Sequence, residues 1–251
     1  MKYSFLAIFT LVFLTFTSDL EAQKRRPSTT RTKNPVVSQQ TNTAIVVDER
    51  LAVLRSAPSF FATTVLRLRR GRSVSISGSR EADGVTFYRV SAPPNHYGWV
   101  QAEALAGKFR RGDDARLAKL LQNSEGFEQI ERAQIFLKTF TDSSLRPAIL
   151  LLTGDLMEET ALKLSTEATR RLDRREMAAS GAPLHSFYLN YVSLDRYRRL
   201  GINFVFNSNT KLLHYDGANW RDIIRKSPNS TEAVEAQKRL ESLKEKMEKT
   251  K

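Results

Sequence analysis

Leu51-Ala-Val-Leu-Arg-Ser-Ala-Pro58, Leu68-Arg-Arg-Gly-Arg-Ser-Val-Ser-Ile76 and Gly98-Trp-Val100 fall within one stretch, residues 44–107, whose reading decides the fold. Apolar residues there come in short runs or in alternation: Ile45-Val-Val47, Thr64-Val-Leu-Arg-Leu68, Val85-Thr-Phe-Tyr-Arg-Val90 and Trp99-Val100 complete the set. Period two puts alternate side chains on opposite faces of a strand. Turn formers separate the runs at Ala57-Pro-Ser59, Arg70-Gly71, Asp83-Gly84 and Pro93-Pro-Asn95. Short strands at spacings near ten residues predict a small β-barrel.

Those three stretches resemble a bacterial SH3 domain, a small exported barrel used for binding. The resemblance implies non-catalytic attachment to cell-wall peptide or glycan. Within the barrel, Tyr88, Tyr97 and Trp99 are amphipathic aromatics able to stack on sugar rings or pack against peptide while their polar atoms stay wet. His96 and Arg55 add hydrogen-bond donors for carbonyls or carboxylates. Trp99, directly after Gly98, also reads as a core plug. Tyr97 and His96, beside the Pro93-Pro-Asn95 turn, are expected to be exposed.

Upstream, Lys2, the apolar run Phe5–Phe16 and Leu20-Glu-Ala22 follow the order of a secretory signal, expected to span 1–22. Residues 23–43 are rich in Ser, Thr and Gln, with Pro27 and Pro35. Lys24, Arg25, Arg26, Arg31 and Lys33 stand there without an acid. So little apolar surface cannot offset the ordering entropy, which predicts a disordered basic linker.

After Gly107 the apolar period lengthens. Asp113 and Asp114 read as helix caps ahead of Leu117, Leu120 and Leu121; Phe127, Ile130, Ala133, Leu137 and Phe140 continue at helical spacing. Pro147 suits a helix start, and Met157, Ala161, Leu164, Ala168 and Leu172 trace one stripe up to Ala179-Ser-Gly-Ala-Pro183. Leu184, Phe187, Tyr188, Tyr191 and Leu194 form another, closed by Gly201. Segments 202–206 and 211–215 are either a β-hairpin or a loop. Residues 215–243, with Pro228 at a turn, Ser230 as cap and small residues at Ala218, Ala233 and Ala236, resemble one unit of a tetratricopeptide-like repeat. Gly107-Lys-Phe-Arg-Arg-Gly112 reads as a hinge. The expected fold is multidomain α+β: an SH3-like β-barrel over 44–107 followed by an α-helical, tetratricopeptide-like domain over 108–251.

The chain of 251 residues has no cysteine, so disulfides, thiol nucleophiles and thioether lipidation are excluded. His96, His185 and His214 lie in different elements without metal-ligand spacing, and Gly-x-Ser-x-Gly, Walker and dinucleotide patterns are missing. Glu158-Glu159 reads as part of a polar helical face, and Gly154 as an ordinary helix glycine. No enzyme activity, metal or cofactor is expected. Net charge is +13, spread along the chain, which favours anionic envelope surfaces over nucleic acid once export is accepted. The expected protein is exported, periplasmic or secreted, and soluble, with no membrane span after signal cleavage. Its partners would be cell-wall polymer or envelope proteins. The rival function is a protein–protein scaffold in envelope assembly, working through the helical part. There Tyr188, Tyr191, Tyr197 and Trp220 either line a groove or pack the core.

Overall fold

The computed structural model describes residues 42–248, which belong to one compact unit. The expected signal segment, nearly all of the basic linker and Lys249 lie outside the described residues. The unit is mixed α and β: a curled antiparallel sheet comes first, and helices with one small hairpin follow.

Seven strands form the sheet: β1 (Thr43–Val46), β2 (Val53–Arg55), β3 (Thr64–Arg67), β4 (Ser73–Ala82), β5 (Val85–Ala92), β6 (His96–Gln101) and β7 (Leu105–Ala106), in the order β3-β2-β6-β5-β4-β1-β7. Thr43, the last residue assigned to the linker, already pairs with Ser75. The alternation works as the sequence requires. Val46, Leu54, Leu68, Val74, Val90, Ala92 and Val100 are buried together on the inner face. The decisive triplet closes the sheet for a steric reason. A Cβ on Gly98 would sit 2.4 Å from the Arg55 carbonyl oxygen and 3.0 Å from the Leu54 side chain, so only glycine lets β6 approach β2 this closely.

The helices are α1 (Asp113–Gln122), α2 (Gly126–Thr139), α3 (Arg146–Arg171), α4 (Arg174–Ser180), α5 (Leu184–Leu189), α6 (Asp195–Arg198), α7 (Ala218–Lys226) and α8 (Thr231–Glu248). Pro147 sits in the first turn of α3, where its missing N–H is not needed. Met157, Ala161, Leu164 and Ala168 form its buried stripe. The segment after Pro183 is broken into the short helices α5 and α6 with a 3-10 turn between them. Residues 202–215 resolve as a hairpin, β8 (Phe204–Asn207) paired with β9 (Leu212–Tyr215). Ser230 Oγ accepts from the Ala233 N–H at 3.2 Å, the expected cap of α8.

Three local expectations are corrected. Asp113 is not an external cap: Gly112, in the left-handed region at φ 80°, precedes the helix, and the Asp113 carboxylate is buried. It accepts from Gly107 N–H at 2.9 Å, Arg110 Nε at 2.7 Å and Arg116 Nε at 3.0 Å, so the supposed hinge is clamped. Gly154 is a close-approach glycine, since a Cβ there would meet Trp220 Nε1 at 2.3 Å. Of the two readings of Tyr188, Tyr191, Tyr197 and Trp220, core packing is the one seen: all four are buried in the helical core, and Tyr188 also lines a pocket beside it.

The sheet and helices share this packing. Val47 and Ala106 belong to the same apolar cluster as α1 to α3. Arg70, in the β3–β4 turn, reaches Glu128 at 2.9 Å and Glu131 at 2.6 Å on α2, and Arg132 of α2 donates from Nε to the Val47 carbonyl at 3.2 Å.

Candidate functional site

Register sorts the five candidate residues between the two faces of the sheet. Trp99 of β6 lies directly opposite Arg55 of β2 and Arg89 of β5, and Tyr97 lies opposite Ser91. Tyr88 faces Val100 and His96 faces Ala92, which puts both on the inner parity with the buried valines. Arg55, Tyr97 and Trp99 therefore share the outer face, and Tyr88 and His96 do not join them. Tyr88 packs edge-on against Phe109 with ring centroids 5.8 Å apart. His96 is half-buried rather than exposed, and its Nδ1 has no partner among the described residues.

The outer face is the chemically distinctive one. Tyr97 is 66 % exposed, which suits a contact residue. Trp99 is partly buried and stands outside both apolar clusters, so it is not a core plug. Arg55 donates from Nη1 to the Ala62 carbonyl at 3.0 Å and pins the β2–β3 loop. Arg89, in register with Trp99, is exposed and has no acidic partner among the described residues; Arg80, opposite Phe87, is in the same state.

The β2–β3 loop, residues 56–63, adds two aromatics that sequence reasoning passed over. Phe60 is 40 % exposed and lies edge-on over Phe87 at 5.4 Å, while Phe61 is 93 % exposed. Burial of Phe87 on the outer parity is explained by this cover. Asp83, in the β4–β5 turn at φ 52°, anchors the loop: its Oδ2 accepts from Phe60 N–H at 2.7 Å and Ser59 Oγ at 2.8 Å. Those two bonds hold its carboxyl below the ordinary aspartate range. The available signal was Phe60-Phe61 in a loop, where an apolar pair has no core to serve. The face thus combines aromatic surface for stacking with unpaired guanidinium groups for anions.

A second cluster is buried in the helical part and corrects the reading of Glu158 as a polar-face residue. His214 Nδ1–H donates to Glu158 Oε1 at 2.9 Å, Lys246 Nζ to the same oxygen at 2.9 Å, and Tyr215 N–H to Oε2 at 2.9 Å. Burial alone pushes the Glu158 carboxyl up, but these donors outweigh it and hold the pKa at about 2. Both oxygens are fully engaged by the chain itself, so this carboxylate is a structural tie between α3, β9 and α8. Among the described residues no group of three or more His, Asp and Glu could hold a metal ion. None of their helices is long and apolar enough to cross a membrane.

Comparison with protein-family models, with curated proteins and with solved structures finds no match.

Proposed function

We propose that the protein is an exported, non-catalytic binding or adaptor protein of a bacterial cell envelope, and that the outer face of its sheet binds cell-wall peptide or glycan. On this reading the sheet is an SH3-like barrel of the bacterial type, and the α7–α8 pair, with its Pro228 turn and Ser230 cap, is a tetratricopeptide-like unit. The observation that carries the reading is the juxtaposition of Tyr97, Trp99 and Arg55 on one exposed face, with Arg89 beside Trp99. Aromatic faces stack on sugar C–H surfaces, and guanidinium forks bind the carboxylates that wall peptides carry. Residues 24–33, basic and without acids, support attraction to anionic polymer.

Co-sedimentation with purified sacculi tests this. Tyr97→Ala and Arg89→Ala, both at exposed positions, should keep the fold and weaken sedimentation at least several-fold. Equal sedimentation of wild type and both folded variants removes the outer face from the site. No sedimentation of the wild type favours the scaffold reading instead.

A further inference from the structure

The β8–β9 hairpin closes through the pair Asn207–Leu212, and its turn is built from Asn207. The Asn207 side chain accepts from Asn209 N–H at 2.9 Å and Thr210 N–H at 3.3 Å, and its carbonyl accepts from Lys211 N–H at 2.8 Å. Lys211 then takes φ 61°, a left-handed conformation that glycine or asparagine adopts easily. For lysine it is a strained conformation. Glycine would complete this turn with less strain, so the turn does not explain the lysine. No acidic partner explains it either, because the Lys211 ammonium makes no ion pair among the described residues.

Lys211 lines a pocket of about 410 Å³ between the end of α3, helices α4 and α5, and the hairpin. Arg174 lines it too and has no acidic partner among the described residues. Its neighbour Asp173 is occupied, accepting the Arg175 and Glu176 N–H groups at the start of α4. Thr210 lines it as well, though its hydroxyl is buried away from solvent. The rest of the lining is apolar, with Met177, Leu184 and Phe187. The volume lies within the range of small-molecule sites. Two cations without an acidic partner, together with an apolar lining, match one ligand chemistry: a single anionic head on an apolar chain.

We propose that this pocket binds a single-chain anionic amphiphile, an acyl carboxylate or an alkyl phosphate, with Lys211 and Arg174 on the head and Leu184, Phe187 and Met177 against the chain. The site is independent of the outer sheet face. Titration calorimetry of the purified protein with decanoate, decyl phosphate and decanol, each below micelle formation, tests it. Saturable binding of either anion, at least tenfold tighter than decanol, is expected. Binding of decanoate alone assigns a carboxylate head, and of decyl phosphate alone a phosphate head. Lys211→Gly should unfold at the same or higher temperature than wild type, since it relieves the left-handed strain, and yet bind the anion at least tenfold more weakly. Lys211→Gln keeps the strain, removes the charge, and should lose the same affinity. Wild-type affinity in either variant, decanol binding as tightly as the anions, or no saturable binding of any probe would overturn the proposal. So would Lys211-dependent binding of an apolar peptide with a free C-terminus when the alkyl probes do not bind.

Discussion

Glu158 shows how a single carboxylate ties distant parts of the chain. Its pKa falls from the ordinary 4.5 to about 2 because His214, Lys246 and the Tyr215 N–H offset the cost of burial. A lowered carboxylate pKa stabilises the fold fully above the unfolded value and is lost as pH falls through the folded value. The window is therefore about pH 5 to 2, and the shift corresponds to roughly 3 kcal/mol at neutral pH. Glu158→Gln should lower stability by roughly that amount in denaturant unfolding at pH 7. The gap to wild type should narrow steadily as the pH approaches 2. A gap independent of pH would mean the loss comes from packing and not from charge. No sequence pattern announces this tie, since its partners stand at 158, 214 and 246 and meet only after α3, β9 and α8 have packed.

At the level of elements, the sheet was the most legible part. Val74 stands between Ser73 and Ser75 and Val90 between Arg89 and Ser91, and period two assigns each its buried face. The same parity puts Arg55, Tyr97 and Trp99 together and leaves Tyr88 and His96 inside, but it needs the register between strands, which the sequence does not supply. The β2–β3 loop lacks any period, so Phe60 and Phe61 escaped notice. The order of that loop depends on Asp83. Asp83→Gly keeps the left-handed turn residue at φ 52° while removing both bonds to the loop. It should leave the melting temperature nearly unchanged and raise amide exchange at Phe60 and its loop neighbours severalfold. Unaltered exchange in the loop would show that the Phe60–Phe87 contact and the Arg55–Ala62 bond hold it without Asp83. In the helical part, spacing located α2, α3 and the α7–α8 pair. The Asp113 clamp stayed hidden because an aspartate at a helix start reads as a cap until its buried partners are known.

For the molecule as a whole, the sheet and helices are joined by more than a linker. Val47 and Ala106 sit in the helical core, Arg70 bridges to Glu128 and Glu131, and Asp113 fixes the segment between β7 and α1. Such an interface is expected to couple the two parts into one unfolding unit. The chain has two tryptophans, one on each side of it: Trp99 in the sheet and Trp220 in α7. Denaturation followed by the indole NMR signals of the two should give coincident transitions. Separated midpoints would mean the sheet unfolds on its own and the clamp contributes little.

The same two indoles give the most direct test of the central claim, that the outer face of the sheet is the binding surface. Trp99 is partly exposed there between Arg55 and Arg89, and Trp220 is buried against Gly154 and serves as an internal control. Titration of the labelled protein with soluble cell-wall fragments, followed through the indole N–H signals, should shift Trp99 saturably and leave Trp220 in place. A Trp99 signal that stays fixed while the fragments bind, or a response confined to Trp220, would contradict the account.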